Sequence, residues 1–132
     1  MEKAIAVLDT NILVSAIVFG GRPRTIFQSV IQNQITGVTS PFLLAELNEV
    51  LTKKFKFSRS KIRLIETKIK KKFRIINPGI TIDILGNNPD NHVLETAIAG
   101  NCQYIITGDR ELLDLKFFKG IVIITATEFL AI

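Results

Sequence analysis

The chain has 132 residues, 47% of them hydrophobic, and a net charge of +5, a composition that indicates one well-packed domain and excludes a disordered chain. The apolar runs fall well short of the roughly 18 residues that a membrane-spanning helix needs, and we expect no cleavable signal peptide. Cys102 is the single cysteine, which excludes an internal disulfide and fits a reducing compartment, so we expect a cytoplasmic protein. From the length of the chain we expect one domain that covers residues 1–132.

Strands and helices are predicted to alternate along the chain. The apolar periodicity and the turn signals predict, in order, a strand at 4–8, a helix at 11–19, a helix with Pro23 in its first turn, a strand at 36–39, a helix starting at Ser40-Pro41, a basic helix capped by Ser58 or Ser60, a weak strand at 80–84, a helix at 91–99, a strand at 103–107, a helix at 109–115, a strand at 121–125 and a helix at 126–132. This alternation indicates a three-layer α/β/α sandwich around a mainly parallel central sheet.

Positive charge is concentrated in residues 53–74, which contain eleven of the seventeen basic residues and one acid, Glu66. This segment has a net charge of +10, and the rest of the chain has −5. A lysine-rich helix is usually only a solvated surface, but a basic block on an otherwise acidic domain favours a polyanionic partner, with nucleic acid as the leading candidate.

Two predicted strands lead directly into acids. The first strand runs into Asp9, and the strand at 103–107 is followed by Gly108 and Asp109. In a parallel sheet the carboxyl ends of the strands share one edge, and ligands bind in the crevice outside it. Two carboxylates at this edge repel each other unless a cation lies between them, so the pattern points to a metal site.

Two further acids are candidates for the same site. Glu46 lies on or beside the buried stripe of its helix, and Asp90 precedes an apolar helix. The alternative is that the three aspartates are helix caps and Glu46 is a boundary residue. Four carboxylates without histidine or thiolate partners suit Mg²⁺ or Mn²⁺ better than zinc, and we interpret His92 and Cys102 as structural.

The order of these motifs resembles the PIN domain, in particular the prokaryotic PIN proteins that are toxin components of toxin–antitoxin systems and relatives of the VapC ribonucleases. The resemblance extends over nearly the whole chain, although no single motif is decisive. It rests on Leu8-Asp9-Thr10-Asn11, Glu46, Pro89-Asp90-Asn91, Leu94-Glu95-Thr96-Ala97 and the stretch from Tyr104 through Thr107-Gly108-Asp109 to Leu113.

The resemblance implies a Mg²⁺- or Mn²⁺-dependent endoribonuclease and the toxin of a toxin–antitoxin pair, with RNA as substrate, an antitoxin protein as partner and a homodimeric state. Its catalytic residues and metal ligands would be Asp9, Glu46, Asp90 and Asp109. Residues expected to orient ligands or water are Thr10, Asn11, Ser40 and Thr107. Asn91 is an alternative holder of the third acidic position, which would leave the quartet one charge short. Residues expected to contact RNA are Lys53, Lys54, Lys68, Lys70, Lys71 and Lys72, and further candidates, for which a role as solvated surface residues is an equal alternative, are Arg22, Arg24 and Arg110.

Two other functional classes were weighed. A phosphoacceptor receiver domain also has an aspartate at a strand end, but it needs a paired acid early in the chain and a lysine after a late strand. Here Asp9 is followed by Thr10-Asn11 and the last strand ends at Thr125-Ala126, so the match is poor. The stronger alternative is a catalytically degenerate PIN-like module that binds RNA through its basic helix.

Overall fold

The computed structural model describes residues 2–86 and 88–132, with Asn88 described by its backbone alone. The elements, in chain order, are β1 (Ile5–Leu8), α1 (Thr10–Val18), α2 (Gly21–Ile31), β2 (Thr36–Thr39), α3 (Pro41–Lys53), α4 (Arg59–Lys72), β3 (Arg74–Ile75), α5 (Asn88–Ala99), β4 (Tyr104–Ile106), α6 (Arg110–Leu115), β5 (Phe117–Phe118), β6 (Ile121–Ile124) and α7 (Ala126–Leu130). In the part of the chain described, no helix combines the length and the apolar character that crossing a membrane requires.

The strands form one six-stranded sheet in the order β3-β2-β1-β4-β6-β5. All neighbouring strands are parallel except β5 and β6, which are antiparallel. Strand β1 lies between β2 and β4, and its residues Ala6, Val7 and Leu8 are completely buried. A continuous apolar run is the pattern expected of a strand that is covered on both faces. The predicted α/β fold with a mainly parallel sheet is therefore confirmed.

Apolar side chains pack in two clusters, one on each face of the sheet. One cluster joins the sheet to helices α1 to α4 and includes Leu47 and Ile69. The other joins the sheet to α5 and α6 and includes Leu94 and Leu112. The sheet is thus the middle of three layers, and side chains from both helical layers can reach its carboxyl edge.

Helix α4 contains most of the basic segment and begins as the sequence predicts. Ser58, rather than Ser60, is its N-cap, and the Ser58 hydroxyl accepts a hydrogen bond from the backbone N–H of Lys61 at 3.2 Å. Ile62 and Ile69 are buried against the core, whereas all eleven basic residues between positions 53 and 74 are exposed. The helix is therefore amphipathic, with its apolar side on the core and its cationic side in solvent.

The structure corrects the sequence prediction in three places. Residues 80–84 form no strand, because the N–H groups of Ile82 and Ile84 are bonded to side chains of α5. The two-residue strands β3 and β5 were not predicted. Helix α5 begins at Asn88 rather than at residue 91, as Pro89 suits a first helical turn, so Asp90 lies inside that turn.

Candidate active site

The four predicted acids come together in one cavity of about 130 Å³ at the carboxyl edge of the sheet. Asp9 follows β1, Asp109 follows β4, and helices α3 and α5 contribute the other two acids. The residues that line the cavity are Asp9, Thr10, Asn11, Glu46, Val50, Pro89, Asp90 and Asp109. The topology explains this convergence, because β1 and β4 are adjacent parallel strands and end side by side.

Asp9 is held rigidly at the end of β1. Its backbone N–H donates to the carbonyl of Ile106 at 3.0 Å, and its side chain is only 5% exposed. The hydroxyl of Thr107 donates to Asp9 Oδ2 at 2.7 Å. The pKa of Asp9 is raised to about 6, mainly by burial and to a smaller extent by the charges of Glu46 and Asp109, while the hydrogen bond from Thr107 opposes the rise. Its side chain makes no helix-capping hydrogen bond.

Asp90 lies in an environment that disfavours a charged carboxylate. Its side chain is 5% exposed, and among the described residues its Oδ2 atom has no hydrogen-bond partner. Burial is the main cause that raises the pKa of Asp90 to about 7, followed by the charges of Asp109 and Asp9. A buried carboxylate oxygen without a donor is costly unless another group, such as a cation, satisfies it.

The other two acids have defined orientations. The hydroxyl of Thr10 donates to Glu46 Oε1 at 2.5 Å. Asp109 Oδ1 accepts hydrogen bonds from the N–H groups of Glu111 and Leu112 at 2.8 and 3.4 Å, so Asp109 is the N-cap of α6 as well as a cavity residue. The capping role and the cavity position therefore coincide at Asp109 and are not alternatives.

Asn91 lies outside the cavity, and its side chain bonds the backbone of a neighbouring loop. It is 3% exposed, its Oδ1 accepts from the N–H groups of Ile84 and Leu85, and its Nδ2 donates to the carbonyl of Leu85 at 3.1 Å. An aspartate could not make the last bond. The amide thus fastens the 80–86 loop to α5, and Asp90 rather than Asn91 supplies the acid that lines the cavity.

The remaining residues expected near the site are divided between the cavity and its surroundings. Thr10 and Asn11 line the cavity. Thr107 supports it from behind, since its hydroxyl bonds Asp9 and also accepts from the N–H of Asp109 at 2.9 Å. Ser40 lies outside and caps α3, where its hydroxyl accepts from the N–H of Leu43.

The donor set fits a hard divalent cation. Carboxylate oxygens are the ligands that Mg²⁺ and Mn²⁺ prefer, and the unpartnered Oδ2 of Asp90 offers one of them. As they stand, however, no three His, Cys, Asp or Glu side chains of the described residues form a group that could hold a metal ion. A complete protein cage is not needed for Mg²⁺, which typically takes one or two carboxylates together with waters and substrate phosphates.

Glu111 is a fifth acid that sequence reasoning missed. It adds to the charges that raise the pKa of Asp90, and its Oε1 accepts from the N–H of Gly86 at 2.9 Å. Its position in the first turn of α6 gives no sign of a role at the site, because acids are common in a first helical turn for reasons of helix stability alone.

The basic residues expected to contact RNA are exposed, but two of them also make polar contacts within the chain. Lys53 Nζ is 3.2 Å from Glu49 Oε1. Arg24 donates from Nε to the carbonyl of Ala16 at 2.7 Å, which ties α2 to the end of α1. The others among the predicted contacts, Arg22, Lys54, Lys68, Lys70, Lys71, Lys72 and Arg110, are exposed without such bonds in the described structure.

A family model described as PIN domain matches residues 5–111, which is most of the chain. The chain belongs to the PIN domain family. No curated protein sequence matches it. PIN domains are nucleases, so membership supports a nuclease in general terms.

Solved structures confirm this PIN fold. A chain of the VapBC2 complex from Rickettsia felis, whose crystal structure includes a DNA fragment from the promoter, has a TM-score of 0.61 and 20% identity, over 92% of this chain and 98% of that one. The PIN domain endonuclease Utp24 has a TM-score of 0.52 and 16% identity, over 92% of this chain and 84% of that one. At these identities the likeness concerns the fold alone.

Proposed function

We propose that this PIN domain is a metal-dependent endoribonuclease that hydrolyses RNA phosphodiester bonds with Mg²⁺ or Mn²⁺. One observation carries the proposal: four acids from four elements line a single small cavity, and two of them, Asp9 and Asp90, are almost completely buried. Helix capping alone does not account for Asp9, Glu46 or Asp90, which make no capping bond in the described structure. Buried like charges at one point are expected where a cation binds.

The metal ligands in this proposal are Asp9, Glu46, Asp90 and Asp109. A bound divalent ion would lower the pKa of a water molecule and stabilise the charge that develops on the phosphate and the leaving oxygen. The chain's own residues prepare the site for it. Thr107 donates to Asp9 and so favours its ionised form, and Thr10 fixes the direction of Glu46.

The basic side of α4 supports RNA as the substrate class. Without it, the negative remainder of the domain would repel a polyanion. Exposed lysines at 68 and 70–72 can contact phosphates whatever the base sequence, so these contacts position a strand and do not select it.

The likeness to VapBC2, together with the motif order, supports a toxin role with an antitoxin partner. In this proposal the partner segment binds a groove of about 590 Å³ between α1, α2 and α4, which is lined by Phe27 and Ile65 and by the basic residues Arg24 and Lys68. These charges would suit an amphipathic segment that carries acids. Homodimerisation and a cytoplasmic location remain predictions of the sequence.

RNA cleavage with Mg²⁺ or Mn²⁺ tests the proposal, with the wild type compared with Asp9→Asn. Asparagine keeps the volume of the side chain but removes the charge, so the fold should survive and cleavage should be lost. The exposed acid Asp114 supplies a matched control, and Asp114→Asn should cleave as the wild type does. Wild-type protein that binds RNA but cleaves none of many RNAs would instead identify a catalytically degenerate RNA-binding module.

A further inference from the structure

An aromatic pair bridges the two helices that contribute Glu46 and Asp90. The rings of Phe42, on α3, and His92, on α5, are stacked with centroids 3.7 Å apart and planes inclined by 30°. Phe42 is 42% exposed, and the His92 side chain is 35% exposed. Each ring covers part of the other, and both keep aromatic surface open to solvent.

The imidazole of His92 is held in position by the carboxylate of Glu95. His92 Nδ1 is 2.8 Å from Glu95 Oε1, and Glu95 is only 6% exposed. The second oxygen of Glu95 accepts from the N–H of Ile82 at 2.9 Å. The ring is therefore preorganised, so a ligand that stacks on the pair loses little free energy to ordering it.

A cavity of about 290 Å³ opens beside the pair and is separate from the acid cavity. Its wall includes Phe42, His92 and Ile80, which are apolar or aromatic, and the polar residues Asn77 and Thr81. A planar ring with hydrogen-bonding edges fits such a wall, because its faces meet aromatic surface and its edges meet amide and hydroxyl groups.

The pair is close to the acid cavity along α3. Phe42 precedes Glu46 by four residues, one turn or about 6 Å along α3 and on the same side of the helix. His92 is two residues from Asp90 on α5, so these two side chains leave the helix in different directions and line different cavities. We infer that Phe42 and His92 form a stacking platform for one unpaired base of an RNA strand whose phosphate lies at the acid cavity.

This inference rests on the proposed function and assigns a position to one base of its substrate. Bases in a duplex are already stacked and paired, whereas an unpaired base can turn its face to an aromatic side chain. Every base has such a face, so the platform favours single strands without selecting a sequence. The cationic side of α4 would hold the backbone of the same strand.

Binding without metal tests the platform independently of cleavage. The probe is a short single-stranded oligoribonucleotide in EDTA, compared with a series in which one abasic site is moved along the strand. The wild type should bind the intact strand about 5- to 100-fold more tightly than the strand that lacks the stacked base. Phe42→Leu should lose most of this difference, and His92→Gln, whose amide can still donate to Glu95, should reduce it. Phe117→Leu, at a 67% exposed phenylalanine on β5, is the control.

Three results would overturn the platform: wild-type protein that binds every strand equally, variants that keep the wild-type ratio, or a Phe42→Leu loss that is equal for intact and abasic strands. The last result would identify the pair as a contact between helices and nothing more. If the binding measurements support the platform but the wild type cleaves no RNA with Mn²⁺, the proposed nuclease function is wrong and the inference of a base-stacking site is kept.

Discussion

Replacement of Asp90 by asparagine is expected to stabilise the metal-free protein at neutral and alkaline pH. In the folded protein burial and neighbouring acids raise the pKa of Asp90 from 3.8 to about 7. The unfolded chain therefore releases the Asp90 proton at lower pH than the folded chain does. Between about pH 4 and pH 7 the wild type loses stability from this group as the pH rises. Asparagine does not ionise and escapes this loss.

The size of the effect follows from the shift of about three pKa units. At 1.36 kcal/mol per unit, the upper value is about 4 kcal/mol above pH 7, and local relaxation around Asp90 reduces it to a few kcal/mol. For a domain of this length that corresponds to an increase in Tm of roughly 10 °C. Below about pH 4, where the wild-type carboxyl is neutral in both the folded and the unfolded chain, the benefit should disappear.

Thermal melts of the wild type and Asp90→Asn from pH 4 to pH 8, all in EDTA, measure this difference. Asp114→Asn, at an exposed position on α6, controls for the general effect of removing a charge. Saturating Mn²⁺ should largely cancel this difference at pH 8, since it stabilises the wild type by about 3 kcal/mol at a hundredfold excess over Kd and has less affinity for the variant. An Asp90→Asn protein that is no more stable than the wild type at pH 8 would refute the reasoning.

Three further variants probe the surroundings of the acids and the basic side of α4. Thr107→Val removes the donor to Asp9 and should weaken Mn²⁺ binding about 10- to 100-fold, measured by calorimetry, whereas unchanged affinity would remove Thr107 from the site. Asn91→Asp loses the donor to the loop carbonyl and should lower the free energy of unfolding by about 1–3 kcal/mol in urea melts without creating a new ligand; tighter Mn²⁺ binding would contradict this. Changing the three lysines at 70–72 to glutamine should weaken RNA binding. The slope of the logarithm of the binding constant against the logarithm of the salt concentration should become shallower by about 0.7 per lost contact. Equal slopes for the wild type and the variant would indicate that the basic side of α4 is only a solvated surface.

The strand-end acids could be predicted from the sequence because local pattern determines them. A short apolar run that ends in an acid predicts a buried strand with a carboxylate at its end, and Asp9 and Asp109 are placed accordingly. Glu46 could be placed because its position relative to the apolar stripe of α3 follows from helical periodicity alone. Parallel pairing then brings the strand ends together.

The parts that could not be predicted depend on contacts between distant segments. Whether Asp90 or Asn91 faces the cavity depends on where α5 begins and on the bonds that Asn91 makes to the 80–86 loop. Residues 80–84 alternate weakly as a strand would, yet side chains of α5 satisfy part of their backbone. Strands β3 and β5 have two residues each, too few for periodicity to identify.

The dependence of RNA cleavage on Mn²⁺ concentration tests the central claim most directly. Wild-type protein should cleave single-stranded RNA with a rate that rises and saturates with Mn²⁺ and is abolished by EDTA. Asp90→Asn should be slower by at least roughly 100-fold at saturating Mn²⁺, because the charge-stabilising ion is lost or displaced. Cleavage that persists in EDTA, or equal rates for the wild type and Asp90→Asn, would contradict the account.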